Sequence, residues 1–179
     1  KAMLETLNQP MVGESDDSAR LENEIEVVVH SAVDLPTREG RSKPSPYVHY
    51  QFLQFQDAFT PVTRSSCDPT FEHVLSYPMA TTTQACALLR TERLTFTVLD
   101  FQEENASIGD ADDALIGTCE VPLSLLSDGE SVFSTATLQS DTGREVGTLR
   151  VCVRWKHAFK QARTPDGSAL DEKEVNWCL

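Results

Sequence analysis

Residues 147–155 alternate strictly, with Leu149, Val151, Val153 and Trp155 on one side and Arg150, Cys152 and Arg154 on the other. A β-strand places successive side chains on opposite faces, so this segment reads as a strand with one apolar and one wet face. Seven further segments read as strands: 25–30, 48–53, 60–64, 71–77, 94–99, 115–121 and 131–138. Turn formers separate them at Glu39-Gly40, Asp68-Pro69, Asp128-Gly129 and Asp141-Thr142-Gly143. Between these strands, helical character is read at residues 84–90 and at 122–126, where Pro122 would open a single helical turn. Eight short strands with frequent turns predict an all-β fold, an eight-stranded antiparallel β-sandwich. Tyr50, Phe71 and Trp155 fall on inward positions and are expected in its core.

The chain has 179 residues, 40% of them hydrophobic, which suits one domain with some excess at the ends. No run approaches the roughly 20 apolar residues that a bilayer span needs. Charge is more informative: 28 Asp and Glu against 15 Lys and Arg give a formal net charge of −13. Between residues 24 and 160 the counts are 19 and 11, so the acidity is not confined to the ends. Such a surface repels phosphates, which excludes nucleic acid and disfavours electrostatic docking to anionic lipid.

The five cysteines, Cys67, Cys86, Cys119, Cys152 and Cys178, are odd in number and form no C-x-x-C clip. Neither a zinc knuckle nor a disulfide framework is indicated, and buried free thiols in a reducing, cytoplasmic compartment are expected. Cys178 lies one residue from the end, too late for a C-a-a-X signal. Residues 1–23 read as the end of an upstream helix or coiled coil (Met3, Leu4, Leu7) followed by a linker, residues 24–160 as the domain, and 161–179 as a second linker. His30, His49, His73 and His157 lie on separate segments, and no nucleophile elbow, phosphate loop or dinucleotide fingerprint occurs. No enzyme and no cofactor is expected.

The order of motifs carries a family resemblance. Asp34-Leu35-Pro36 follows the first strand, Pro44-Ser45-Pro46-Tyr47-Val48 opens the second, and Asp68-Pro69-Thr70-Phe71 opens a later one. A run from Leu94 to Asp100, then Leu115-Ile116-Gly117 leading into Val121-Pro122-Leu123, and the 147–155 strand complete the series. This succession resembles a C2 domain across about residues 24–160. Residues 43–57, 66–71, Tyr77-Pro78 and 89–100 are also similar to the C2 domains of the retinitis pigmentosa GTPase regulator-interacting protein family. That resemblance implies a scaffold of the ciliary transition zone and basal body, with coiled coils ahead of the C2 domains. It implies protein partners of the nephrocystin type or regulators of small GTPases.

Calcium-binding C2 domains gather about five carboxylates on two loops, because Ca²⁺ takes 6–8 oxygen ligands. By resemblance the ligand positions here are Glu39, Ser45, Asp100, Gln102 and Ala114, of which only Asp100 keeps the expected aspartate. Neutral Ser and Gln surrender the charge that drives affinity, so calcium is not expected to bind in the sensor range. The loop between Asp100 and Ala114 carries Glu103, Glu104, Asp110, Asp112 and Asp113; a rebuilt site on Asp110, Asp112 and Asp113 stands against a merely solvated acidic loop.

The lipid patch of C2 domains needs several lysines on the third and fourth strands, and segments 60–64 and 71–77 hold only Arg64 and His73. A smaller stripe of Arg150, Arg154 and Lys156 reads as an anion patch or as a solvated face paired with carboxylates such as Glu26. Phe101 and Ile108 are the candidate loop-tip apolar residues. The sequence therefore points to a calcium-independent C2 domain that binds other proteins. The alternative is a peripheral membrane module using Ca²⁺ or phosphoinositide. Docking surfaces to inspect are residues 42–45 with the acidic loop, then the aromatic stretch 52–59.

Overall fold

A computed structural model describes residues 22–102, 108–109 and 113–160. The expected upstream helix, the first linker up to residue 21, the second linker, Cys178, Glu103, Glu104, Asp110 and Asp112 lie outside these residues.

Eight antiparallel strands form: β1 (Glu24–Val33), β2 (Pro46–Gln51), β3 (Asp57–Phe59), β4 (Thr70–Pro78), β5 (Arg93–Asp100), β6 (Ala114–Pro122), β7 (Val132–Gln139) and β8 (Glu145–Trp155). Their order across the curled sheet is β3-β2-β5-β6-β7-β8-β1-β4, with β6 and β7 joined by a single paired position, Thr118 with Gln139. That thin junction lets the sheet fold over into two layers, and the apolar faces meet between them. Ile25, Val27 and Val29 of β1 meet Val48, Tyr50, Phe96 and Val98 of β2 and β5 in one buried cluster. Tyr50, Phe71 and Trp155 are in it, and the Trp155 indole Nε1 donates to the Leu126 carbonyl at 2.8 Å.

The helix α1 (Thr83–Thr91) begins at Thr82, whose hydroxyl accepts from the Ala85 N–H at 3.1 Å, an N-cap that satisfies one of the first turn's orphan donors. It buries Cys86 and Leu89.

Two local expectations need correction. The third strand is the triplet Asp57–Phe59 and not residues 60–64. The Thr60 N–H still reaches the Val48 carbonyl at 2.9 Å, but the return bond from the Val48 N–H goes to the Thr60 hydroxyl at 2.9 Å and Pro61 has no N–H to contribute, so the ladder ends there. The helical turn spans Ser124–Asp128 and does not start at Pro122, which is the last residue of β6. Gly129 ends that turn in the left-handed region, φ 82°, with its N–H returning to the Leu126 carbonyl.

Candidate functional site

Pro46, Asp100 and Ala114 share one row across β2, β5 and β6, so three loops converge at that end of the sandwich. The turn after β1 brings Arg38 and Glu39 to the same place, with the Arg38 N–H bonded to the Ser42 carbonyl at 2.8 Å.

Asp100 is buried there, and its carboxylate is fully engaged. Arg38 donates from Nε to Oδ2 and from Nη2 to Oδ1, both at 2.6 Å, and the Ser45 N–H donates to Oδ1 at 2.7 Å. Arg38 Nη2 also reaches the Phe101 carbonyl at 2.9 Å. This bidentate pairing is the strong, geometrically specific form of an ion pair. It ties the loop after β1 to the loop after β5 where a metal ion would do so.

The remaining ligand positions are spread or occupied. Ser45 is buried, and its hydroxyl accepts from the Ser65 N–H at 3.4 Å. Gln102 turns its amide to the Asp100 carbonyl at 3.2 Å. Glu39 is exposed, and Ala114 offers no side-chain oxygen. As arranged, these groups do not fit a calcium cage. Among the described residues, no group of three or more His, Cys, Asp or Glu side chains converges on a common point.

Of the three carboxylates expected to rebuild a site, Asp113 is described, and it faces inward. The Tyr47 hydroxyl donates to Asp113 Oδ2 at 2.5 Å, and the Gln102 N–H donates to Oδ1 at 3.1 Å. The same hydroxyl accepts from the Gly109 N–H at 3.0 Å, so one buried phenol fastens the acidic loop at two points. Arg38 and Tyr47 were both missed as site residues in the sequence. The available signal was Asp100 itself, since an aspartate closing an apolar strand next to packed loops needs a cation or donors to pair with.

Between these loops lies a groove of about 500 Å³ lined by Pro36, Arg38, Glu39, Gln102, Ile116 and Val146. The backbone of Phe101 is fixed by its N–H to the Ser45 carbonyl at 3.0 Å, and Ile108 is exposed.

The basic stripe lies on the outer face of β8. Arg154 bonds Glu26 at 2.9 Å and Lys156 bonds Glu24 at 2.7 Å. The Lys156 ammonium holds the Glu24 carboxyl below its usual range, and Glu24 raises the Lys156 pKa in return. Arg150 lies opposite Ser31 and Thr135. In the 52–59 stretch, Phe52 is core and Phe55 rests against it and against Tyr77, with ring centroids 6.1 and 5.0 Å apart. Leu53 and Phe55 form, with Leu88 of α1, a second groove of about 600 Å³.

Two layers of antiparallel strands with their loops gathered around Asp100 define a C2 domain. Residues 23–138 match the C2 domain family, and the chain belongs to it. It is similar to X-linked retinitis pigmentosa GTPase regulator-interacting protein 1 of Bos taurus, 29% identical over 138 residues, which are 77% of this chain and 11% of that protein. The chain thus spans a small part of that relative's length. Among solved structures, the C2A domain of plant Extended Synaptotagmin 1 matches with a TM-score of 0.57 at 18% identity, over 78% of this chain and 97% of that one. A CC2D1B structure matches with a TM-score of 0.60 at 22% identity, over 74% and 54%. Human GIVD cytosolic phospholipase A2 gives 0.56 at 17% identity, over 75% and 16%. At these identities the likeness is one of fold.

Proposed function

We propose that this C2 domain is a calcium-independent protein–protein interaction module of a ciliary scaffold. The observation that carries the proposal is the Arg38 guanidinium seated on Asp100, the one aspartate retained at the calcium-ligand positions. A cation belonging to the chain fills the electrostatic role of the ion and is present at any calcium concentration. Ser45, Gln102 and Ala114 supply no carboxylate to compete for an ion. The lipid route lacks support for a related reason: Arg154 and Lys156 are already paired with glutamates, and β3 and β4 contain no lysine.

The ciliary setting, with localisation at the transition zone or basal body, rests on the likeness to the GTPase regulator-interacting protein, and so do partners of the GTPase-regulator or nephrocystin type. No enzymatic role is assigned. Among the described residues, no helix is long and apolar enough to cross a membrane.

Calorimetry and thermal melting with and without Ca²⁺ test the loop end; unchanged heats and melting temperature are expected, and a low-micromolar isotherm would overturn calcium independence. Co-sedimentation with anionic vesicles should show no binding in either condition. Pairwise binding to purified GTPase-regulator and nephrocystin-type proteins tests the partner class.

A further inference from the structure

Strand β6 is bonded along one side and nearly bare along the other. β5 pairs with it from Ala114 to Pro122, whereas β7 meets it at Thr118–Gln139 alone. Toward the loop end β7 stops at Gln139 and the chain turns back into β8, so residues 114–117 have no second strand beside them among the described residues. Ala114 is exposed, and Leu115 is 45% exposed. The register with β5 skips Ile116, a bulge that leaves one more residue outside the ladder. Strand backbone groups alternate between facing a partner and facing away, so this stretch offers N–H and C=O groups on its open side.

The open side borders the loop-end groove. Ala114, Leu115 and Ile116 line it with Pro36, Ser140 and Val146, and its volume is about 500 Å³. Pro36 and Val146 also line a second groove of about 500 Å³ that reaches Thr137 and Gly147, so the two are continuous. Gly117 keeps the base narrow, since an added Cβ would lie 2.7 Å from Val146 Cγ2. Among the described lining residues, Asp34, Glu39 and Glu145 stand against one unopposed cation, Arg144, because Arg38 is held by Asp100. None of those three carboxylates has an ion-pair partner among the described residues.

We infer that this groove takes an extended, basic segment of a partner protein, which adds to residues 114–117 of β6 as a further strand. Main-chain hydrogen bonds to the open edge supply affinity, and side chains at alternate positions supply specificity. An apolar side chain of the segment covers Pro36, Leu115 and Val146, and the Lys or Arg residues flanking it meet Asp34, Glu39 and Glu145. Four strand residues at about 3.4 Å each give roughly 14 Å of edge, room for a segment of about four or five residues. The negative lining and the chain's net charge of −13 select a basic occupant and repel a second copy of this chain. The inference rests on reading the domain as a protein-interaction module and deepens it by naming the surface and the mode of recognition.

Acetylated heptapeptides Lys-Arg-X-Thr-X-Lys-Arg, with X as Val, Ile or Leu, are the probes, titrated into the isotope-labelled 179-residue chain. Binding with a Kd between about 10 µM and about 1 mM is expected, with amide shifts centred on residues 114–117 and Val146. Methylating the central peptide amides, or exchanging Lys and Arg for Glu, should weaken it at least about tenfold. Leu115→Lys should do the same with an unchanged melting temperature, because that side chain is 45% exposed. Glu39→Lys combined with Glu145→Lys should reverse the preference between basic and acidic peptides. Absence of binding below about 1 mM for every peptide would overturn the inference. So would shifts confined to the groove of Leu53, Phe55 and Leu88 or to the β3 and β4 edges. Indifference to amide methylation would overturn it too, because no strand is then added. The same variants are tested against the purified GTPase-regulator and nephrocystin-type proteins. Protein binding that ignores Leu115→Lys and peptide competition sinks this surface and leaves the interaction module standing. Peptide binding without a protein partner sinks that partner class and leaves the groove.

Discussion

Arg38 and Asp100, 62 residues apart in sequence, form a bidentate ion pair at 2.6 Å, with the Asp100 side chain 5% and the Arg38 side chain 31% exposed. Removing the arginine leaves a buried carboxylate with the Ser45 N–H as its hydrogen-bond donor. Arg38→Ala should therefore cost about 2–4 kcal/mol, the lower figures reflecting the partial exposure of the guanidinium. Denaturant melts measure this. The same variant should still bind no calcium at micromolar concentration, because emptying the seat restores none of the missing carboxylates.

Tyr47 and Asp113 give a second measurable effect. Tyr47→Phe keeps the ring packing but deletes the donor to Asp113 and the acceptor for the Gly109 N–H. A loss of about 1–3 kcal/mol is expected, since a buried carboxylate loses a partner. Amide exchange at Gly109 and Gln102 should accelerate, while protection in β1 and β8 stays as it is.

Two glycines predict unequal costs for the same substitution. At Gly147, φ 117°, an added Cβ would lie 2.5 Å from the Val33 carbonyl oxygen, and both strain and collision follow. At Gly143, φ 75°, nothing lies within 4 Å, and only the left-handed backbone is penalised. Gly143→Ala should cost about 1–2 kcal/mol and Gly147→Ala clearly more, as seen in their melting midpoints.

The alkaline limb of stability is set by buried acids. Burial pushes the Cys119 thiol from 9.0 up to about 11, and raises the Tyr50 and Tyr77 phenols as well. The unfolded chain releases the Cys119 proton near pH 9 while the folded chain retains it, so stability present below pH 9 is lost as pH rises toward about 11. Urea midpoints measured from pH 8 to the end of that window should fall, and Cys119→Ala should flatten the slope.

The legibility of this protein differs between fold and site. Strand β8 was readable because its alternation is local: each residue's face follows from its parity. The third strand lies a few residues earlier than its pattern suggests, since the ladder ends where the Thr60 hydroxyl takes the Val48 N–H, a partner 12 residues away. At the loop end, the family resemblance singled out Ser45, Asp100, Gln102 and Ala114 but gave no reason to connect Arg38 with Asp100. That connection exists only once β1 and β5 lie in facing layers.

Period-two alternation and turn residues determined by themselves that the chain forms an eight-stranded antiparallel β-sandwich, and the order of its motifs carried the resemblance to a C2 domain. These are properties of residue type and short spacing, which the backbone enforces locally. Tertiary structure alone decided that an arginine neutralises Asp100, that a phenol holds Asp113, and that β6 runs past the end of β7 at residues 114–117. Each of those depends on register between strands distant in sequence, and register is fixed by the packing of the whole core.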